Sequence, residues 1–109
     1  MALTRDFRDT VMARVNADPK FALDLLKNGI ELMLLGDVDA GKAILRDHIK
    51  ATVGFEQLGV DTAISPKSLI RMFGPSGNPQ THNLFAVIRQ LQRYAGVSLG
   101  VVTLPPSRR

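Results

Sequence analysis

Apolar residues recur at helical spacing along most of this chain. Phe7, Val11 and Val15 fall at i, i+4 and i+8 behind Thr4 as N-cap, which predicts a helix over 4–17. Asp18-Pro19 reads as an N-cap followed by proline at the first helical position. The next stripe is Ala22, Leu25, Leu26, Gly29, Leu32 and Met33, and it stops near Gly36. Asp37 or Asp39 caps a third helix with Ile44, Leu45, His48, Ile49 and Thr52 on one side, broken at Gly54. A short helix carries Phe55, Leu58 and Gly59. Ile64 then stands at the exit of a turn, and Ser65 caps a helix with Leu69, Met72 and Phe73 inward. The run GPSGNP at 74–79 is a strong loop signal. Thr81 caps the last helix, whose buried side is Leu84, Phe85, Val87, Ile88, Leu91 and Ala95, ending at Gly96. Residues 97–104 are β-prone and predict one strand, which must pair with another chain or lie on the helices. Residues 105–109 read as a disordered tail. The fold class expected is mainly all-α, a five- to six-helix domain of helix-turn-helix type with a short C-terminal strand.

The stretch from Gly54 to Leu91 carries the functional signal. Two helices crossing steeply need a small residue at the crossing, an apolar residue after the turn and apolar anchors on the second helix. Gly59, Ile64, Leu69 and Met72 supply these in order. Lys67, Ser68 and Arg71 are left on the outward face, in position to enter a major groove, where arginine pairs with guanine and serine with several base edges. Charge agrees with that reading. All ten acidic residues lie between Asp6 and Asp61, while residues 65–109 hold six basic residues, a net +6. Residues 1–64 hold eight basic and ten acidic residues, a net −2, so the whole chain carries +4. A positive half that coincides with a candidate reading helix suggests a phosphate-facing surface.

The same residues carry a resemblance. The run LGVDTAIS at 58–65, LIRMF at 69–73, GNP at 77–79 and LFAVI at 84–88 resembles the Cro/phage-repressor (Xre-type) family. The whole layout, with its N-terminal helical segment and Gly36-Asp37 turn, is most similar to antidote (antitoxin) proteins of addiction modules. The resemblance covers residues 37–99 closely and 4–36 loosely. It implies a homodimeric, sequence-specific repressor of double-stranded operator DNA that also neutralises a small toxin encoded beside it and represses its own operon. Residue by residue, it places Ser65, Lys67, Ser68 and Arg71 at the DNA-binding helix and Asn78 at a phosphate-bonding loop position. Three positions depart from the family's pattern: Phe55 replaces a glutamine, Ala63 replaces the turn glycine, and Pro66 replaces a polar contact residue. The implied division is an N-terminal extension over 1–36, a DNA-binding domain over 37–104 and the tail. Two other readings are a stand-alone phage-type repressor and a protein-interaction module that keeps the helix pair as a scaffold.

Other chemistry is poorly supported. Residues 36–42, GDVDAGK, have the glycine and lysine spacing of a phosphate-binding loop, yet Ala43 stands where magnesium needs Ser or Thr. Asp37 and Asp39 would repel phosphate, so the bland reading is a helix-capping turn. His48 and His82 lack paired Cys or His neighbours, which argues against a metal site. His48 is expected to be partly buried, and His82 to sit in a capping or phosphate-facing position. No nucleophile–His–carboxylate pattern stands out, so neither enzyme chemistry nor a cofactor is expected. There is no cysteine, no run of roughly 18 apolar residues, and Asp6 and Asp9 stand where a leader would be apolar. The expectation is a cytoplasmic protein with no membrane contact. A composition of 45% hydrophobic and 22% charged residues over 109 positions suits one domain with a real core.

Overall fold

The structure, a computed structural model, describes residues 18–106; the helix expected over 4–17 and the final three tail positions lie outside the described residues. Five helices follow in order: α1 (Pro19–Leu34), α2 (Val38–Ala51), α3 (Phe55–Thr62), α4 (Pro66–Met72) and α5 (Thr81–Ala95). The protein is all-α over these residues. No helix among them is long and apolar enough to cross a membrane.

The first two helices form an antiparallel pair. Asp18 opens α1 by accepting from the Lys20 amide at 3.0 Å and the Phe21 amide at 3.4 Å, with Pro19 at the first helical position. Gly36 closes it at φ +91°, donating to the Met33 carbonyl, while the Asp37 amide donates to the Leu32 carbonyl at 2.9 Å. The two helices approach closely because both carry glycine at the contact. A Cβ on Gly41 would stand 2.6 Å from Met33 Cγ and 2.7 Å from the Gly29 carbonyl oxygen. A Cβ on Gly29 would stand 2.9 Å from Leu45 Cδ2. Asp37 occupies the N-cap position of α2 without a side-chain cap bond.

The second layer is the pair α3 and α4, joined by a turn at residues 63–65. Gly59 sits where the helices meet: a Cβ there would be 2.9 Å from the Ile64 carbonyl oxygen and 3.2 Å from the Pro66 ring. Ala63 makes the turn at φ 60° and ψ 27°. α5 packs Val87, Ile88 and Leu91 inward and is tied to α3 at its far end, where the Tyr94 hydroxyl and the Gln57 amide both donate to Asp61. One core joins all five helices, with Leu26, Leu45, Ile49, Leu58, Leu69 and Val87 completely shielded from solvent.

Three expectations need correction. The N-cap of α5 is Gln80, one residue before Thr81, because Gln80 still has extended backbone at φ −64° and ψ 142°. Phe85 is 59% exposed and Ala95 is exposed, because the buried stripe runs through 84, 87, 88 and 91, and both lie beyond its edge. Residues 97–106 form no strand, since no other extended segment among the described residues offers a ladder. Instead the Leu99 amide donates to Gln92 Oε1 at 2.7 Å, and the Leu99 side chain packs on the core.

Candidate nucleic-acid interface

α4 is short but well started. Ser65 has extended backbone and its hydroxyl accepts from the Ser68 amide at 3.1 Å, with Pro66 at the first helical position. The same hydroxyl donates to Ser68 Oγ at 2.9 Å. Leu69 and Met72 anchor the helix in the core, which sends Lys67, Ser68 and Arg71 to the surface. Ser65 itself is exposed but committed to the cap. Ile70, which the helical period also turns outward, is 52% exposed beside them.

A cleft of about 500 Å³ opens between α4 and the loop that follows it. Ser68, Arg71 and Asn78 all line it, so three of the five expected site residues share one concave surface. Lys67 and Ser65 do not line it. Sequence reasoning missed Ser76, Gln80 and Asn83, which complete the polar wall. Their signal was present: SGNPQTHN at 76–83 contains six residues with hydrogen-bonding side chains and no carboxylate. The lining holds no acidic group, and Arg71 gives it a fixed positive charge.

The cleft's far wall is held by a side chain from another layer. Lys42 on α2 is only 3% exposed, and its Nζ donates to the Gly74 carbonyl at 3.1 Å and the Gly77 carbonyl at 2.6 Å. Asp39 lies 3.9 Å from the same ammonium group but is almost fully exposed, so it adds little. The lysine of the 36–42 run thus faces loop carbonyls, and the glycine beside it makes a helix contact. Gly77 presses against the end of α4: a Cβ would stand 2.0 Å from the Arg71 carbonyl oxygen and 2.8 Å from that of Met72. Asn78 follows directly, so its place depends on this clamp.

Phe55 is buried in the core and Pro66 starts α4. His82 is exposed in the first turn of α5. His48 is 4% exposed, and its Nδ1 has no hydrogen-bond partner. Burial pushes its imidazole below the ordinary value, with a smaller opposing effect from the backbone at Ala22. No group of three or more His, Cys, Asp or Glu is placed to hold a metal ion among the described residues. In comparisons with known proteins, the chain matches no family model, no curated protein and no solved structure.

Proposed function

We propose that the protein binds double-stranded DNA in a sequence-specific manner, using α3 and α4 as a helix-turn-helix and α4 as its reading helix. The observation that carries this is the acid-free cleft that gathers Ser68, Arg71 and Asn78 beside the exposed Lys67. Arginine and serine on an exposed helix face suit base edges, while amides and hydroxyls on the loop suit phosphate oxygens. The resemblance to phage-type repressors extends the proposal to transcriptional repression. Its likeness to addiction-module antidotes adds a small toxin as a second partner.

Fluorescence anisotropy against the promoter fragment upstream of its own gene tests the reading. If Arg71 contacts a base through both guanidinium nitrogens, Arg71→Ala weakens binding by about 1–3 kcal/mol and relaxes preference at one position. Lys67→Ala lowers affinity evenly across sequences and reduces the salt slope by about one. Binding that is weak and indifferent to sequence in the unaltered protein sinks the proposal and favours a protein-interaction module.

A further inference from the structure

Arg46 on α2 carries a charge that nothing in the fold answers. The residue is partly buried, and its Nε is shielded from solvent without a hydrogen-bond partner. Among the described residues it makes no ion pair. A guanidinium is a rigid fork of N–H donors that stays charged, and a buried donor left unmet costs stability. The next carboxylate in sequence does not serve it, since Asp47 Oδ1 is also buried without a partner. A cavity of about 240 Å³ stands open at Arg46, lined also by Asp39, Lys42, Phe73 and the loop residues Gly74 and Pro75. None of the five site residues expected from the sequence lines it.

The charge of the lining narrows the ligand. Lys42 and Arg46 stand against Asp39, a net +1. Lys42 is already committed, donating to the Gly74 and Gly77 carbonyls and facing Asp39. Of the two cations, Arg46 is the one left to donate. Such a pocket suits an oxyanion with a single charge, because Asp39 repels a second one. A phosphodiester carries one charge, and arginine matches its oxygens through two parallel N–H bonds. The position of the pocket identifies the molecule that carries the phosphodiester. Pro75 lines the pocket and Asn78 lines the cleft beside α4, three residues on and at most about 11 Å of chain away. Lys42 holds this loop from within by its bonds to Gly74 and Gly77. We infer that Arg46 grips a backbone phosphate of the DNA strand whose neighbouring phosphate meets Asn78, with the clamped loop as the spacer between them. The inference rests on the DNA-binding reading above and adds to it a contact from α2, outside the helix pair.

Anisotropy titrations of the full chain on its own promoter fragment, from about 50 to 200 mM salt, test the contact. Arg46→Gln should weaken binding about tenfold, the scale of one hydrogen bond between charged groups. It should also lower the salt slope by about 0.9 and leave the preferred sequence unchanged. Arg46→Lys keeps the charge and should recover most of the slope. Thermal melting separates this role from a structural one. Because Arg46 has no partner in the free protein, Arg46→Gln should melt no lower than the unaltered chain; a variant that melts lower and loses affinity in proportion overturns the contact. Replacing single phosphates with uncharged methylphosphonate should reveal one position that weakens the unaltered chain and leaves Arg46→Gln unmoved. Raising inorganic phosphate at constant ionic strength should not narrow the gap between the two proteins. If it closes the gap, Arg46 holds a free anion and the DNA contact falls. An Arg46→Gln variant that matches the unaltered chain in affinity and slope overturns the contact while the DNA reading stands. Failure of the unaltered chain to bind specifically overturns both.

Discussion

Ala63 is the only non-glycine residue with positive φ among the described residues, and the α3–α4 turn depends on it. A left-handed alanine costs roughly 1–2 kcal/mol through its Cβ. Glycine removes that strain but gives the unfolded chain more freedom, an opposing effect of about 0.4–1 kcal/mol. Ala63→Gly is therefore expected to raise stability by about 0.5–1 kcal/mol, or a few degrees in Tm. Calorimetry that shows an unchanged or lower Tm would mean the turn relaxes the strain in another way. His48 supplies a pH-dependent counterpart. Its imidazole is held below 6.5 by burial, so the folded protein keeps it neutral where the unfolded chain takes up a proton. Stability is then full above about pH 6.5 and falls below it, by up to about 1.4 kcal/mol per pH unit, until the folded imidazole also protonates. Asp61 acts in a lower window. Bonds from Tyr94 and Gln57 hold its carboxyl below the ordinary 3.8, so its contribution is lost only as pH falls through that acidic range. Denaturant melts at pH 7.5 and 5.5 isolate the histidine: the unaltered protein should lose stability, and His48→Leu should lose less. Equal losses in both would remove His48 as the source.

At the scale of elements, the positions of all five described helices could be read from the chain because each has inward residues at the helical period and a local start or stop. Gly36, Gly54 and Gly96, all at positive φ, ended or opened helices where the sequence predicted a break. Gly59 was legible as the crossing residue because helix pairs at steep angles have one geometry. The loop clamp was not legible. Lysine is usually solvated, and the Lys42 carbonyl partners lie 32 and 35 residues away, beyond any local pattern. The C-terminal segment failed for a related reason, since β propensity describes a residue's fit to a strand and not whether a neighbouring strand exists. The clamp has a testable consequence. Lys42→Met keeps the length of the side chain and its burial but removes both hydrogen bonds, leaving the Gly77 carbonyl without a donor while the Gly74 carbonyl keeps the Gly77 amide. The expected destabilisation is about 1–3 kcal/mol. Amide exchange at Gly77, whose N–H bonds the Gly74 carbonyl, should accelerate by more than the global change explains. If Asn78 contacts phosphate, DNA affinity should fall without a change of preferred sequence. Exchange at Gly77 that follows global stability alone would show that the loop is held by its own turn and by Gly77 packing.

For the whole molecule, the decisive relation is between α1 and the rest. The sequence suggests an N-terminal extension over 1–36 packed on the core of a DNA-binding domain over 37–104. In the fold, α1 contributes Leu26 to the same core as Leu45, Ile49, Leu58 and Leu69, while Gly29 and Met33 meet Gly41 on α2. Removing residues 1–36 therefore deletes one wall of that core and uncovers side chains of α2. Each large apolar side chain returned to water costs about 1.5–3 kcal/mol. A domain of this size has only about 5–15 kcal/mol of net stability, so losing Leu26 and uncovering two or three neighbours consumes most of it. A chain of residues 37–109 is expected to lack a cooperative thermal transition, and with it the DNA binding proposed for the intact chain. Leu26→Ala is the graded form of the same experiment, with an expected cost of about 2–5 kcal/mol and a DNA affinity unchanged at temperatures where the variant stays folded. Circular dichroism melts of the truncated chain decide the matter. A sharp transition near that of the full chain would make α1 an appendage after all, free to serve a partner, whereas its absence makes α1 part of the scaffold that holds Lys42 against the loop beside α4.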